Sequence, residues 1–326
     1  MNQNVSPATA GRSIQQLPEG ISVVVPVYRS SPMLAGLHSR LTIIFQKRSL
    51  PFELILVEDC GGDDSWKVIE ALALKDECVR GIRMSRNYGQ HNALLCGVRA
   101  ARYSVLVTID DDLQHPPEEL PRLLEALTDD VDVVYGPPMS QQHGLLRNLA
   151  SQFTKLALQG AMGVDTARQV SALRVFRTSL RHAFDAYRGS FVNLDVLLTW
   201  GTTRFRAVPV RHDPRQAGES GYTMRKLAVH ALNMLTGFTT LPLQLASIMG
   251  IGFALFGVVV LLFVVVRYLI EGGSVPGFPF LAATIAIFSG AQLLALGIIG
   301  EYLARMHQRT MDRPAYCVSE VTLPSE

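Results

Sequence analysis

Short runs of β-branched and aliphatic residues alternate with longer mixed segments through the first two thirds of the chain, and two long uncharged runs occupy the last third. Residues 21–28 (Ile-Ser-Val-Val-Val-Pro-Val-Tyr) read as a first strand, 51–59 as a second, 79–84 as a third and 105–109 as a fourth. Continuous apolar runs of this length, bounded by breakers, mark strands covered on both faces. Between them lie helical patterns over 31–47, over 66–74 behind the cap residues Asp63, Asp64 and Ser65, and in a segment ending near Ala101. A helix over 118–127 and a strand over 132–135 continue the series. Further on, 172–176 is strand-like, a helix leads to Trp200, and 204–210 reads as another strand. Alternation of this kind predicts an α/β fold, a mostly parallel sheet with helices on both faces.

Ligands of open parallel sheets bind beyond the carboxyl ends of the strands. Tyr28, Asp59, the Arg86-to-Gly89 segment and the Asp110-to-Gln114 segment all fall at such ends and converge on one crevice. The fourth strand runs into Asp110-Asp111-Asp112 and stops at Pro116-Pro117. Adjacent carboxylates repel unless a cation lies between them. If the strand stays extended, Asp110 and Asp112 point to one side and Asp111 to the other, so two carboxylates can share one metal ion. The alternative is a solvated acidic turn capping the next helix. Convergence of four strand ends weighs against it, because unrelated turns have no reason to gather at one edge.

At 326 residues, 48 % hydrophobic and 18 % charged, the chain exceeds one typical domain and is apolar for a soluble protein. A net charge of +2 gives no electrostatic case for nucleic-acid binding. The four cysteines, Cys60, Cys78, Cys96 and Cys317, form no C-x-x-C pair and have no histidine at zinc-ligand spacing, which argues against a structural zinc and a disulfide scaffold. A reducing, cytosolic setting fits them. Residues 1–20 are polar, lack the apolar core of a signal peptide and read as a disordered tail.

No charge occurs over 241–266 or over 272–300. Each run exceeds the roughly 20 residues needed to cross a bilayer, so the chain is expected to span a membrane twice within 241–303. Arg225 and Lys226 precede the first run, Arg305, Arg309 and Arg313 follow the second, and the connection between them offers only Arg267. The positive-inside rule places both outer ends, and with them the globular domain, in the cytoplasm. Residues 223–240 read as an interfacial helix and 304–326 as a cytoplasmic tail.

A metal held by Asp110 and Asp112 suits a diphosphate. No G-x-x-x-x-G-K-[ST] sequence and no G-x-G-x-x-G turn is present, which leaves a sugar nucleotide as the ligand. Residues 24–28 (Val-Val-Pro-Val-Tyr), Val57-Glu58-Asp59, Arg86-Asn87-Tyr88-Gly89-Gln90-His91, the acidic stretch, the Arg-x-x-Gly-x-Ser of 215–220 and Gly300-Glu301-Tyr302 together resemble family 2 glycosyltransferases of the GT-A fold. The similarity is to the polyprenyl-phosphate branch and covers about 21–318. The resemblance implies inverting transfer of a sugar from a nucleotide, UDP-linked, to undecaprenyl or another polyprenyl phosphate at the cytoplasmic face of the inner membrane, with Mg2+ or Mn2+ and a homotetrameric assembly. It implies that Asp110, Asp112 and Gln114 surround the metal and that Pro26, Tyr28 and Asp59 line the nucleotide site, with Asp59 on the uracil. Arg86 and Gln90 then bind substrate, while Arg147 and Arg215, with Ser220, cradle phosphate oxygens. Asp110, Asp112 and Arg215 carry the catalysis. Four departures stand out: Arg29-Ser30 replaces Asn-Glu after the first strand's tyrosine, Asp59-Cys60-Gly61 replaces Asp-Gly-Ser, Pro137-Pro138 stands where an arginine is usual, and 168–170 lacks the carboxylate that relatives place there. The missing arginine and carboxylate motivate a rival, a catalytically weakened homologue serving as a membrane scaffold or partner subunit. A polymerising synthase is disfavoured by the small membrane region.

Overall fold

The computed structural model describes residues 17–139, 169–189, 192–213, 240–271 and 277–322. An eight-stranded sheet forms the centre. Its strands are β1 (Ile21–Val27), β2 (Phe52–Glu58), β3 (Val79–Met84), β4 (Val105–Thr108), β5 (Val133–Tyr135), β6 (Arg174–Arg177), β7 (Phe205–Ala207) and β8 (Val318–Val321), in spatial order β7-β5-β6-β4-β1-β2-β3-β8. β1 pairs in parallel with β2 and β4, and β2 with β3; β6 runs antiparallel to both β4 and β5. The expected mostly parallel α/β sheet is therefore present, with its reversal between β4 and β6.

The helices are α1 (Ser31–Lys47), α2 (Ser65–Ala73), α3 (Gln90–Ala100), α4 (Leu120–Ala126) and α5 (Leu194–Thr199), followed by the long α6 (Leu241–Glu271) and α7 (Phe278–Thr310). β1 is buried along its whole length. Val23, Val25 and Val27 face the layer of α1, α2 and α4, whose Leu37, Leu41, Phe45, Ile69 and Leu123 complete one core. Val24 faces the other way, toward Leu94, Leu95 and Val98 of α3 and Leu194, Leu197 and Leu198 of α5. Each fully buried aliphatic side chain contributes about 1.5–3 kcal/mol. On α1 the buried Leu34, Leu37, Leu41, Ile44 and Phe45 recur at helical spacing, and Pro32 in its first turn needs no amide partner. α3 approaches β1 so closely that a Cβ on Gly97 would lie 2.3 Å from a Val24 methyl.

The junction between β4 and β6 is fastened by charge. Arg174, 4 % exposed, donates from Nε to Asp195 Oδ1 at 2.6 Å and from Nη2 to Oδ2 at 2.9 Å, while Nη1 reaches Thr108 Oγ1 at 3.0 Å. Tyr135 adds its hydroxyl to Asp195 Oδ1 at 3.1 Å. This ties β6, β4, β5 and α5 together beneath the end of β4.

α6 and α7 are long and apolar enough to cross a membrane, and their Leu255, Leu269, Leu293 and Leu296 lie exposed. Inside lipid a helix satisfies its own backbone, so exposed apolar side chains there carry no penalty. Residues after 303, expected as a tail, do more than trail away: α7 continues to Thr310, and Val318–Val321 adds an antiparallel edge strand to β3. The sequence gives little warning of this, because all four side chains of β8 are exposed and only backbone pairing defines the strand.

Removing one partner of a buried ion pair leaves an unneutralised charge and costs about 3–5 kcal/mol. Asp195→Asn is expected to destabilise the protein by that order, read as a lowered thermal midpoint of the detergent-solubilised chain. Replacing both partners, Arg174→Met with Asp195→Leu, should recover a large part of the loss.

Candidate active site

The ends of β1, β2, β3 and β4 open on one crevice. At the end of β1, Tyr28 is 46 % exposed, and the Arg29 guanidinium stacks against its ring at 5.3 Å. Pro26, expected to line the nucleotide site, is buried in β1 opposite Val57, two residues before Tyr28.

Asp59 follows β2 and is only 3 % exposed. Its two carboxylate oxygens accept the backbone N–H groups of Tyr88 and Gly89, each at 2.7 Å. Burial raises its pKa above the usual carboxylate range, and the two amides oppose that rise. Gly89 adopts φ +93°, a conformation that L side chains rarely take, so a glycine is required where the chain turns into α3. The acid expected on the uracil thus also builds the wall of the crevice. Arg86 lies over the Tyr88 ring at 4.6 Å on the same exposed turn.

Gln90, the first residue of α3, donates from Nε2 to Asp110 Oδ1 at 2.7 Å. The acidic stretch itself differs from the extended strand end that the alternation argument assumed. β4 stops at Thr108, Asp111 and Asp112 form a turn, and Leu113 has φ +57° with its side chain buried. Asp111 Oδ2 accepts the Tyr28 amide at 3.1 Å, which turns it toward β1, whereas Asp112 Oδ1 accepts the Gln114 amide at 3.1 Å. Burial first, and then the neighbouring Asp112, push the Asp110 carboxyl up to about 7, against the pull of Arg174. A cation between two such carboxylates would relieve their mutual repulsion.

Among the described residues no group of three or more His, Cys, Asp or Glu side chains is arranged to hold a metal. A cation here would take two carboxylates from the protein and its remaining oxygens from a ligand and water, which fits Mg2+ or Mn2+ and not a closed protein cage. Beside it, His115 is buried, with no partner for Nδ1 among the described residues, and packs edge-on against His212 at 5.0 Å. The Asp213 amide donates to the Gln114 carbonyl at 2.8 Å, so the segment after β7 is latched to the acidic turn. Tyr28, Asp59, Arg86, Gln90, Asp110, Asp112 and Gln114 are thus gathered at one edge. Arg147, Arg215 and Ser220 lie outside the described residues, as do 223–239.

Residues 22–185 match the sequence profile of Glycosyl transferase family 2. The chain is 35 % identical over 304 residues to the undecaprenyl-phosphate 4-deoxy-4-formamido-L-arabinose transferase of Pseudomonas paraeruginosa, covering 92 % of this chain and 90 % of that one. The chain belongs to glycosyl transferase family 2. A protein of the same description from Shewanella sediminis is 35 % identical over 310 residues, with 92 % of each chain covered. Among solved structures, glucosyl-3-phosphoglycerate synthase of Mycobacterium tuberculosis, in complex with Mn2+, UDP and glucosyl-3-phosphoglycerate, superposes with a TM-score of 0.51 at 15 % identity, covering 70 % of this chain and 83 % of that one. That likeness establishes the GT-A fold. In this family 2 glycosyltransferase one support of the site comes from two residues that no motif marks. Arg174 and Asp195 support the acidic turn from below; the only sequence signal was a basic residue inside the apolar run 172–176.

Asparagine at position 59 would offer one oxygen where two amides need acceptors. Leaving a buried donor unpaired costs about 1–3 kcal/mol, and Asp59→Asn is expected to destabilise by that order and to speed hydrogen exchange at the Tyr88 and Gly89 amides. Unchanged protection at those two amides would show that the carboxylate does not hold the turn.

Proposed function

We propose that this family 2 glycosyltransferase moves a sugar from a UDP-linked donor to undecaprenyl phosphate, or a similar polyprenyl phosphate, at the cytoplasmic face of a bacterial inner membrane. The observation that carries the reading is one chain joining a crowded carboxylate pair, at the ligand-binding edge of the sheet, to two helices fit to cross a membrane. The names of the relatives at 35 % identity support the acceptor, and UDP with Mn2+ in the M. tuberculosis synthase supports the donor and the metal.

On this reading Asp110 and Asp112 hold Mg2+ or Mn2+, with Gln114 beside them, and the ion when bound neutralises the donor diphosphate. Gln90 fixes one oxygen of Asp110 by its 2.7 Å hydrogen bond and so orients the carboxylate. Tyr28 and Arg86 supply exposed surface for the nucleotide, and Arg147, Arg215 and Ser220 bind phosphate oxygens. The acceptor needs little help from a base. A phosphate monoester has a second pKa of about 6, so it is largely a dianion at neutral pH and can attack the anomeric carbon directly once aligned. The absence of a carboxylate at 168–170 is compatible with this chemistry.

With undecaprenyl phosphate and a panel of UDP-sugars, purified protein is expected to release UDP in a Mn2+- or Mg2+-dependent manner. Asp112→Asn should reduce turnover by about 100-fold at fixed metal concentration; an undiminished rate would remove the metal from the proposal. For orientation, the basic residues at the outer ends of both spans predict that a reporter fused after Glu326 is cytoplasmic. A periplasmic signal would reverse the assignment.

A further inference from the structure

α7 continues for ten residues past the end of its uncharged run. From Glu301 onward it carries Glu301, Arg305 and Arg309, so its last ten residues, about 15 Å of helix, stand clear of the uncharged run and reach the globular domain. There Asp312 turns the chain with φ +48°, and its carboxylate faces Arg188 at 3.4 Å. Ala315 is 6 % exposed and enters the core shared with α3. Tyr316 lies against the same helix: its hydroxyl meets the Cys96 thiol, and Arg99 stands over its ring at 5.8 Å. Arg99 is itself anchored on the carbonyls of Asp185 and Tyr187, at 3.0 and 2.6 Å.

The chain then closes onto β3. The Ser85 amide donates to the Cys317 carbonyl at 2.9 Å, Glu320 pairs with Arg83, and Thr322 exchanges two hydrogen bonds with Gly81, through its hydroxyl at 2.7 Å and its amide at 2.9 Å. β3 and α3 are the two elements that flank the crevice turn bearing Arg86, Tyr88, Gly89 and Gln90. With all of its side chains exposed, β8 adds almost nothing to the core. What it adds is position.

We propose that residues 312–322 are a positioning strap that fixes the crevice at one height and tilt above the bilayer, with Tyr316 as the positioning residue that seats it on α3. The proposal rests on the lipid-acceptor reading above. An acceptor phosphate anchored in the bilayer can approach the donor only within a narrow layer at the headgroups, so the domain must be held there. A rigid helix running through a short turn into a docked strand does this, and productive alignment is worth orders of magnitude in rate.

Inserting six Gly/Ser residues between Asp312 and Arg313 gives the link a root-mean-square span of about 13 Å while leaving β8 free to pair. In proteoliposomes containing undecaprenyl phosphate, the insertion is expected to lower turnover about tenfold or more. With a short-chain prenyl phosphate in detergent micelles, where the acceptor diffuses to the crevice, turnover should stay within about twofold of the unmodified protein. Tyr316→Ala should show the same split without a change in chain length. Equal rates in both systems, or equal losses in both, would overturn the strap. A second readout is independent of the reaction: energy transfer from a dye at the exposed residue 74 to acceptor lipids should report one narrow distance in the unmodified protein and a broad distribution after insertion. An unchanged narrow distance would overturn the strap on its own. If the unmodified protein gives no product with either acceptor, the acceptor assignment fails, and the distance measurement still decides the strap.

Discussion

A buried guanidinium beneath the end of β4 is the constraint around which the molecule is arranged. Arg174 sits in the interior where an isolated charge would be prohibitive, and Asp195 neutralises it through two short hydrogen bonds. Thr108 at the end of β4 takes a third donor, so the cation also holds the strand from which the acidic turn departs. Its field reaches Asp110 and opposes the rise in that carboxyl's pKa. The sheet reverses direction at this point, between β4 and β6. Reversal points open crevices, and here the opening would fall apart electrostatically without the buried pair.

A second dependence runs through α3. The helix follows a glycine of positive φ, the turn before it is gripped by Asp59 through the Tyr88 and Gly89 amides, its first side chain orients Asp110, and its later turns carry the Cys96 and Arg99 contacts with Tyr316. One eleven-residue element therefore joins the crevice wall at Asp59, the acidic turn and the segment that follows α7. Its closeness to β1, enforced by Gly97, leaves it little freedom to shift.

Much of this could be read from residue order. The strands of the parallel half are continuous apolar runs, visible because both faces of each are covered, and their ends carried the polar residues that converge on the crevice. The contacts that escaped reading are those whose partners are distant or whose pattern is silent. Arg174 and Asp195 are separated by 21 residues and meet only because β6 pairs beside β4. β8 has no buried face to betray it, and its existence depends on the free edge of β3. The acidic stretch shows the limit in another form. The alternation of an extended chain would set Asp110 and Asp112 on one side and Asp111 on the other; the chain instead turns at a left-handed Leu113, and the Tyr28 amide holds Asp111.

On the proposed reaction, the catalytic burden is electrostatic and positional. The nucleophile arrives with its charge already developed, so a general base would add little. The difficult terms are the diphosphate charge that must be accommodated as the sugar departs and the alignment of two reactants confined to different phases. A carboxylate pair whose repulsion a cation would relieve answers the first. A docked strand continuous with α7 answers the second. The two solutions meet in α3, which is why the residues between Tyr88 and Arg99 are shared by the chemistry and by the attachment to the membrane.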